Sequence, residues 1–177
     1  MEKIVLKKRP EKNEPCITLI GMAGSGKSTI GMALAKYMDY AFMDTDYLIE
    51  SAYGVDLQTV SDALSKEEFL DMEERFICSL RSSRTVIATG GSVVYRESSM
   101  RHLASMGPIV CLDASLEVIQ SRIAHNPQRG LAIAPGQTIA DLYAERMELY
   151  KKYAALHCDT TQTPSECAAW IAAHVAL

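Results

Sequence analysis

The sequence predicts an α/β fold in which helices cover both faces of a parallel sheet. Short apolar, β-branched runs alternate along the chain with longer segments of helical periodicity. No repeat, low-complexity tract or linker interrupts this alternation, and 177 residues suffice for one domain with a substantial core. Strands that alternate with helices form parallel sheets buried on both faces.

Five short apolar segments are predicted to be strands. The first is β-branched and ends at Gly21, and the third ends at the pair Gly90-Gly91. Runs of this length that end at turn residues are typical of fully buried strands. The predicted strands span residues 16–20, 41–43, 85–88, 109–112 and 156–159.

The segments between the strands have helical spacing of apolar residues. The clearest amphipathic pattern covers residues 67–81. The last helix is predicted to begin at the N-cap Ser165, behind Pro164, and to turn Trp170 and Ile171 inward. The predicted helices span residues 28–38, 47–51, 57–61, 67–81, 97–105, 116–124, 139–155 and 165–176.

Two segments lack a regular pattern. Residues 1–14 are charged and have no apolar signal-peptide core, so we expect a frayed leader, with a partner-binding arm as the alternative. Residues 125–137 contain two prolines and two glycines, which indicates a mobile loop. The expected organisation is a leader, 1–14, and a single domain, 15–177, whose mobile segment covers about 124–137.

Composition excludes several classes of function. The net charge of -4 argues against a general nucleic-acid binder. No apolar run approaches the ~18 residues of a membrane span. The five cysteines form no C-x-x-C pair and the four histidines lack metal-ligand spacing, so neither disulfides nor zinc are expected. We expect a cytoplasmic monomer in which Cys16 and Cys111 are buried as small apolar residues.

Residues 21–28 match the phosphate-binding pattern G-x-x-x-x-G-K-[ST] between a predicted strand and a predicted helix. Backbone N–H groups and the helix N-terminus favour phosphate here. Lys27 is expected to reach the β- and γ-phosphates of ATP, and Ser28 to ligate Mg²⁺. The predicted nucleotide-binding residues of this P-loop are Gly24, Ser25, Gly26, Lys27, Ser28 and Thr29.

The loop alone does not select a reaction, because ATPases, GTPases and kinases share it. The chain has no N-K-x-D motif that would read guanine, and its length leaves little room for a motor domain. A small kinase that uses ATP and Mg²⁺ is therefore the favoured interpretation.

Two polar turns follow predicted strands at the sheet edge where ligands bind. Asp44 and Asp46 point to one side if their segment stays extended, where one carboxylate would orient Mg²⁺ and the other an acceptor hydroxyl. A solvated or helix-capping pair is the alternative. The N–H groups of Gly90 and Gly91 are candidates for binding an anionic substrate group, with a plain turn as the alternative.

The order of these motifs resembles the shikimate kinases: G-x-x-G-S-G-K-S-T, D-T-D, a Gly-Gly turn, an arginine-bearing loop and Arg-x-x-x-Tyr. The resemblance covers the chain from about residue 16 to the C-terminus. It implies a three-layer αβα P-loop kinase fold with a five-stranded parallel sheet and a closing lid. It also implies transfer of the γ-phosphoryl group of ATP to a hydroxyl of a small carboxylic acid, with shikimate as the first candidate.

The same resemblance implies roles for individual residues. Asp46 would bind the acceptor hydroxyls and is the candidate base, beside Gly90 and Gly91. Arg146 would pair with the substrate carboxylate, and Arg129, in the lid, would contact phosphate and substrate. On the nucleotide side, Asp44 would lie by Mg²⁺, Arg122 over the nucleotide and Gln162 in the adenine-contacting loop.

The chain departs from the family pattern in its acceptor half. Leu70 stands where the family has a carboxylate-binding arginine, Ser92 replaces a third glycine, and Gly130 replaces a proline after Arg129. Loss of a charge-assisted contact of this kind costs about 1.5–3 kcal/mol.

Three hypotheses therefore stay open. The first is a shikimate kinase with a displaced carboxylate clamp. The second is a kinase of another small hydroxy acid such as homoserine, with Arg146 on its carboxylate and Asp71 or Glu73 on its ammonium. The third is a nucleotide-dependent binding module with weak catalysis. The retained residues Lys27, Ser28, Asp46 and Arg129 argue against it.

Overall fold

The computed structural model describes residues 14–125 and 136–175. Within these ranges five strands form one all-parallel sheet in the order β2-β3-β1-β4-β5. The predicted α/β class and five-stranded parallel sheet are thereby confirmed. The strands are β1 (Ile17–Ile20), β2 (Ala41–Asp44), β3 (Thr85–Ala88), β4 (Ile109–Asp113) and β5 (Leu156–Asp159).

Helices cover both faces of the sheet, as the alternating pattern predicted, and their bounds lie within a few residues of the predicted ones. The helices are α1 (Lys27–Met38), α2 (Thr45–Tyr53), α3 (Leu57–Asp62), α4 (Lys66–Ser79), α5 (Glu97–Met106), α6 (Leu116–Ala124), α7 (Ile139–Tyr153) and α8 (Pro164–His174), with one 3₁₀ turn at Val93–Tyr95.

The two faces of the sheet bury separate apolar clusters, which makes the architecture three layers deep. Successive residues of a strand face opposite sides, so Leu19 of β1 packs with α1 and α8 while Ile20 packs on the side of α7. Cys16 and Cys111 are fully buried, as predicted. A smaller cluster joins α2, α3 and α4 around Ile49 and Phe69.

Two predictions for α8 are wrong. The N-cap is Thr163, whose hydroxyl accepts a hydrogen bond from the Glu166 backbone N–H, and Ser165 lies inside the first turn. Pro164 occupies the first helical position, where its missing N–H costs nothing, so the cap must precede it. Trp170 is 38% exposed and stacks on His174, whereas Ile171 is fully buried.

Helix α4 supplies side chains to the site described below. A capping box between Ser65 and Glu68 starts it. It ends at Ser79, two residues before the predicted end, because Leu80 takes an extended conformation. Of the helices that the structure describes, none is both long and apolar enough to cross a membrane.

Most of the expected leader and mobile segment lies outside the described residues. This applies to residues 1–13 and 126–135, and therefore to Arg129 and Gly130. Helix α6 ends at Ala124, where the mobile segment was predicted to begin.

Candidate active site

A cavity of about 380 Å³ lies at the carboxyl edge of the sheet. Both predicted polar turns reach it, and so do one carboxylate from α4 and one guanidinium from α7. The side chains and backbone that matter most for its chemistry belong to Lys27, Ser28, Asp44, Asp46, Glu73, Gly90, Gly91 and Arg146.

The P-loop connects β1 to α1 as its motif predicts. Gly26 precedes the helix with φ 101°, a left-handed conformation that favours glycine. The ammonium of Lys27 donates hydrogen bonds to the carbonyl oxygens of Gly21 and Met22, each at 2.8 Å. Burial lowers the pKa of Lys27 to about 8, and the nearby carboxylates of Asp46 and Asp44 oppose that shift.

Asp44 links the P-loop to the next helix. One of its carboxylate oxygens accepts a hydrogen bond from the Ser28 hydroxyl at 2.7 Å, and the other accepts from the Asp46 backbone N–H at 3.0 Å. The latter bond caps α2, which begins at Thr45. The premise of an extended Asp44–Asp46 segment is therefore wrong, but Asp44 as cap and Asp46 in the first turn both line the cavity.

The oxygen atoms of Ser28 and Asp44 fit a magnesium ion. They lie 2.7 Å apart next to the loop that binds phosphates, and Asp44 is only 8% exposed. Mg²⁺ prefers a carboxylate and a hydroxyl of this kind, completed by phosphate oxygens and water. This supports the prediction that both residues serve the metal.

The turn after β3 brings three charged groups of the cavity together. A Cβ on Gly90 would overlap the Glu73 carboxylate and stand 3.0 Å from an oxygen of Asp46, so a larger residue here would displace the Glu73 side chain. A Cβ on Gly91 would stand 2.9 Å from Nη1 of Arg146. The Gly90 N–H donates a hydrogen bond to the Thr45 hydroxyl at 3.2 Å. The turn therefore lets charged side chains approach closely, which is a clearer role than the predicted binding of a substrate anion by its N–H groups.

Glu73, named from the sequence only as a candidate partner for an acceptor ammonium, is a buried carboxylate. It is 2% exposed, and its Oε2 accepts a hydrogen bond from the Ser92 hydroxyl at 2.8 Å. Burial and the neighbouring Asp46 carboxylate together raise the pKa of Glu73 to about 7, and Ser92 and Arg146 oppose the shift. Ser92, one of the departures from the family pattern, thus supplies a hydrogen bond to Glu73.

Arg146 projects from α7 into the cavity and is 2% exposed. Its Nε donates to the Tyr95 hydroxyl at 3.3 Å, and its guanidinium lies 5.2 Å from the centre of that ring. The ammonium of Lys66 lies 5.1 Å from the centre of the same ring. Sequence reasoning did not find Tyr95, because an isolated tyrosine beyond the Gly-Gly turn carries no recognisable signal.

Leu70 and Asp71 do not contribute polar groups to the cavity. Leu70 is 3% exposed and does not line it. Asp71 faces away from the cavity, and its carboxylate accepts a hydrogen bond from Arg96 at 2.7 Å. Arg96 donates to the carboxylate of Glu67 as well, at 2.8 Å. In the part of the chain that the structure describes, Arg146 is the arginine that lines the cavity.

Two further predicted site residues, Arg122 and Gln162, do not line the cavity. Arg122 is exposed and donates to the carbonyl oxygen of Gly24 at 2.9 Å, so it lies against the P-loop. Gln162 is exposed in the loop between β5 and α8 and does not line the cavity. Arg129 lies outside the described residues. The roles expected for these three residues stay predictions.

The fold and the site together define a P-loop kinase that acts on a small molecule. The family model described as shikimate kinase matches residues 23–176, so the chain belongs to the shikimate kinase family. Its members are ATP-dependent kinases, and the predicted class of phosphotransferase is therefore confirmed.

Individual relatives agree with this assignment. The chain is 38% identical to a shikimate kinase of Thermodesulfovibrio yellowstonii, over 86% of this chain and 90% of the relative. It is 37% identical to a shikimate kinase of Chromobacterium violaceum, over 81% of this chain and 80% of the relative. A solved structure of the Acinetobacter baumannii shikimate kinase in complex with shikimate matches with a TM-score of 0.81 and 27% identity, over 90% of this chain and 91% of that one.

Proposed function

We propose that this protein transfers the γ-phosphoryl group of ATP to a hydroxyl of shikimate. The observation that carries the proposal is the convergence of Lys27, Asp46 and Arg146 on one cavity. These residues supply a cation for the phosphates, a base for a hydroxyl and a guanidinium for a carboxylate. The chain matches relatives named shikimate kinase over most of their length, which supports shikimate as the acceptor.

Asp46 is the proposed base. In the transfer step its carboxylate takes the proton of the acceptor hydroxyl while the hydroxyl oxygen attacks the γ-phosphorus. The bond from the γ-phosphorus to the bridging oxygen breaks, and ADP leaves. Arg146 would hold the acceptor carboxylate through a charge-assisted contact. Tyr95 fixes the guanidinium by hydrogen bond and ring contact.

On the nucleotide side, Lys27 is the proposed phosphate ligand. Its ammonium would exchange the carbonyl oxygens of Gly21 and Met22 for phosphate oxygens. Ser28 and Asp44 would hold Mg²⁺, which when bound neutralises charge on the phosphates. Arg122, already against Gly24, would extend over the nucleotide, and Gln162 would lie near the adenine.

A second candidate acceptor is a hydroxy acid that also carries an ammonium group, such as homoserine. The observation that favours it is Glu73, a buried carboxylate beside Asp46 that has Leu70, not an arginine, one turn before it on α4. In that case Arg146 would bind the carboxylate of the acceptor and Glu73 its ammonium. Asp71 is unsuited to this role because it pairs with Arg96 on the outer side of α4.

Acceptor-dependent formation of ADP, measured in a coupled assay with shikimate, homoserine and no acceptor, tests the proposal. We expect turnover with shikimate and not without an acceptor. Turnover of homoserine but not of shikimate would replace the first candidate by the second. Tight ATP binding with no turnover of any acceptor would refute both and favour a binding module. A mock preparation without the protein is the control for turnover by a contaminating kinase.

A further inference from the structure

Three side chains of metal-ligating types lie on one face of the sheet and do not line the cavity. Cys111 and Asp113 are two residues apart on β4, so their side chains point to the same face. Cys111 is in register with His157 on the neighbouring parallel strand β5. Residues in register on adjacent parallel strands face the same way, and the sheet therefore assembles a thiol, a carboxylate and an imidazole.

The carboxylate of Asp113 lies between the other two groups. The Cys111 thiol donates to one of its oxygens at 3.2 Å, and Nδ1 of His157 lies 3.0 Å from the other. One potential ligand atom from each residue lies within 4.8 Å of the others. Ligand atoms on a tetrahedral zinc ion are roughly 3.3–3.8 Å apart, given bonds of about 2.0–2.3 Å. Small side-chain adjustments would therefore suffice for all three to share one ion.

The ligand set selects a class of metal. A thiolate, an imidazole and one carboxylate suit Zn²⁺ and similar transition-metal ions, whereas Mg²⁺ prefers oxygen ligands throughout. The site thus differs in kind from the oxygen pair of Ser28 and Asp44. Every cysteine and histidine of the sequence lies in residues 14–125 or 136–175. Within these ranges, Cys111, Asp113 and His157 form the group of three cysteine, histidine or acidic side chains whose ligand atoms all lie within 4.8 Å of one another.

The backbone around the three side chains is fixed before any ion binds. The carbonyl oxygen of Asp113 accepts two hydrogen bonds from Thr160, from its N–H and its hydroxyl, each at 2.9 Å. The Tyr143 hydroxyl of α7 donates to the carbonyl oxygen of Ala114 at 3.0 Å. Cys111 is fully buried, but the side chains of Asp113 and His157 are 36% and 38% exposed. A fourth coordination position would therefore open to solvent.

We propose that Cys111, Asp113 and His157 form a binding site for one zinc-like divalent ion, separate from the magnesium site of the kinase. Sequence spacing did not predict it, because the register of β4 and β5 brings together residues that are far apart in the chain. A bound ion would link β4 to the edge strand β5 and exchange with solvent through its open position. It would stabilise the folded state, since the unfolded chain does not hold the three ligands together.

Zinc titration of the full chain, without nucleotide and with excess Mg²⁺ present, tests this site. A chromophoric chelator competes for Zn²⁺ and reports affinity and stoichiometry, and we expect one ion per chain. Substitution of Co²⁺ should give the thiolate charge-transfer absorption that accompanies sulfur coordination. Cys111→Ser and His157→Gln should each lower the zinc affinity at least about tenfold, the loss that even outer-shell changes can cause.

Matched controls are Cys78→Ser and His174→Gln, which remove the same side-chain types elsewhere and should bind Zn²⁺ like the wild type. Circular dichroism checks that each variant is folded. If Cys111→Ser does not fold, His157→Gln decides, because it changes a partly exposed side chain on an edge strand. Absence of stoichiometric zinc, absence of the thiolate band with Co²⁺, or unchanged affinity in His157→Gln would each overturn the proposal.

Discussion

Glu73 makes the stability of this protein depend on pH in a way that one substitution can reveal. Its carboxylate is 2% exposed and has a pKa of about 7, against an ordinary value of 4.5. Between these two values the folded state keeps a proton that the unfolded state has lost. The contribution of Glu73 to stability therefore falls as pH rises through this window, and stays constant above the pKa of about 7. The rise of the pKa from 4.5 to about 7 corresponds to a loss of stability on the order of 3 kcal/mol across this window.

The perturbation is Glu73→Gln, which has nearly the same shape and can still accept the hydrogen bond from Ser92. Because glutamine does not titrate, the variant should lose less stability than the wild type between pH 4.5 and pH 7. The difference in the free energy of unfolding between the two proteins should change by roughly 3 kcal/mol in favour of the variant across this window.

Urea unfolding at closely spaced pH values, followed by circular dichroism, measures this difference. Glu67→Gln is the matched control, since it removes a carboxylate from the same helix whose side chain is 73% exposed. That control should follow the wild-type pH dependence closely. If the difference in the free energy of unfolding between Glu73→Gln and wild type stays constant from pH 4.5 to pH 7, Glu73 does not retain its proton in the folded state and the reasoning is wrong.

Three further substitutions test the kinase site. Lys27→Ala should abolish nearly all phosphoryl transfer, while Lys36→Ala on the same helix should keep it; comparable turnover in both would contradict the role of Lys27. Asp46→Asn should lower kcat far more than it raises the KM for ATP, and an unchanged kcat would exclude Asp46 as the base. Leu70→Arg should lower the KM for shikimate by about 10–150-fold if a missing guanidinium limits binding, with Leu70→Met as control; an unchanged KM would count against this.

The architecture follows closely from local sequence pattern. The two β-branched runs that are followed by glycine form the fully buried strands β1 and β3, because strands covered on both faces are apolar throughout. The main local failure concerned α8, where Ser165 and Thr163 are both good caps and only the position of Pro164 decides between them. Trp170 was wrongly predicted to face inward, because α8 buries only a narrow apolar stripe formed by Cys167, Ala168 and Ile171.

The nucleotide half of the site was equally visible in the sequence. The P-loop motif fixes the positions of Lys27 and Ser28 on a loop and helix that the same residues build. Asp44 was predicted to lie by the same magnesium ion as Ser28, but on an extended segment that also carried Asp46. Asp44 contacts Ser28 from the last position of β2, where it also caps α2, whereas Asp46 lies inside the helix.

The acceptor half depended on contacts between distant parts of the chain. Sequence comparison with the family singled out Leu70 and Ser92 as separate departures. Only the packing of α4 against the turn after β3 shows that Ser92 bonds to Glu73. Likewise, the contact of Tyr95 with Arg146 is evident only from the structure, because α7 places the guanidinium over the tyrosine ring.

The sequence by itself determined the strand–helix order, the phosphate loop and the class of reaction, because each depends on residues that are close together in the chain. The tertiary structure decided which carboxylate is buried next to Asp46, where Asp71 points, and which cysteine meets which histidine. Those outcomes depend on strand register and helix packing, which bring distant residues within a few ångströms. Burial then changes their chemistry, as the raised pKa of Glu73 shows.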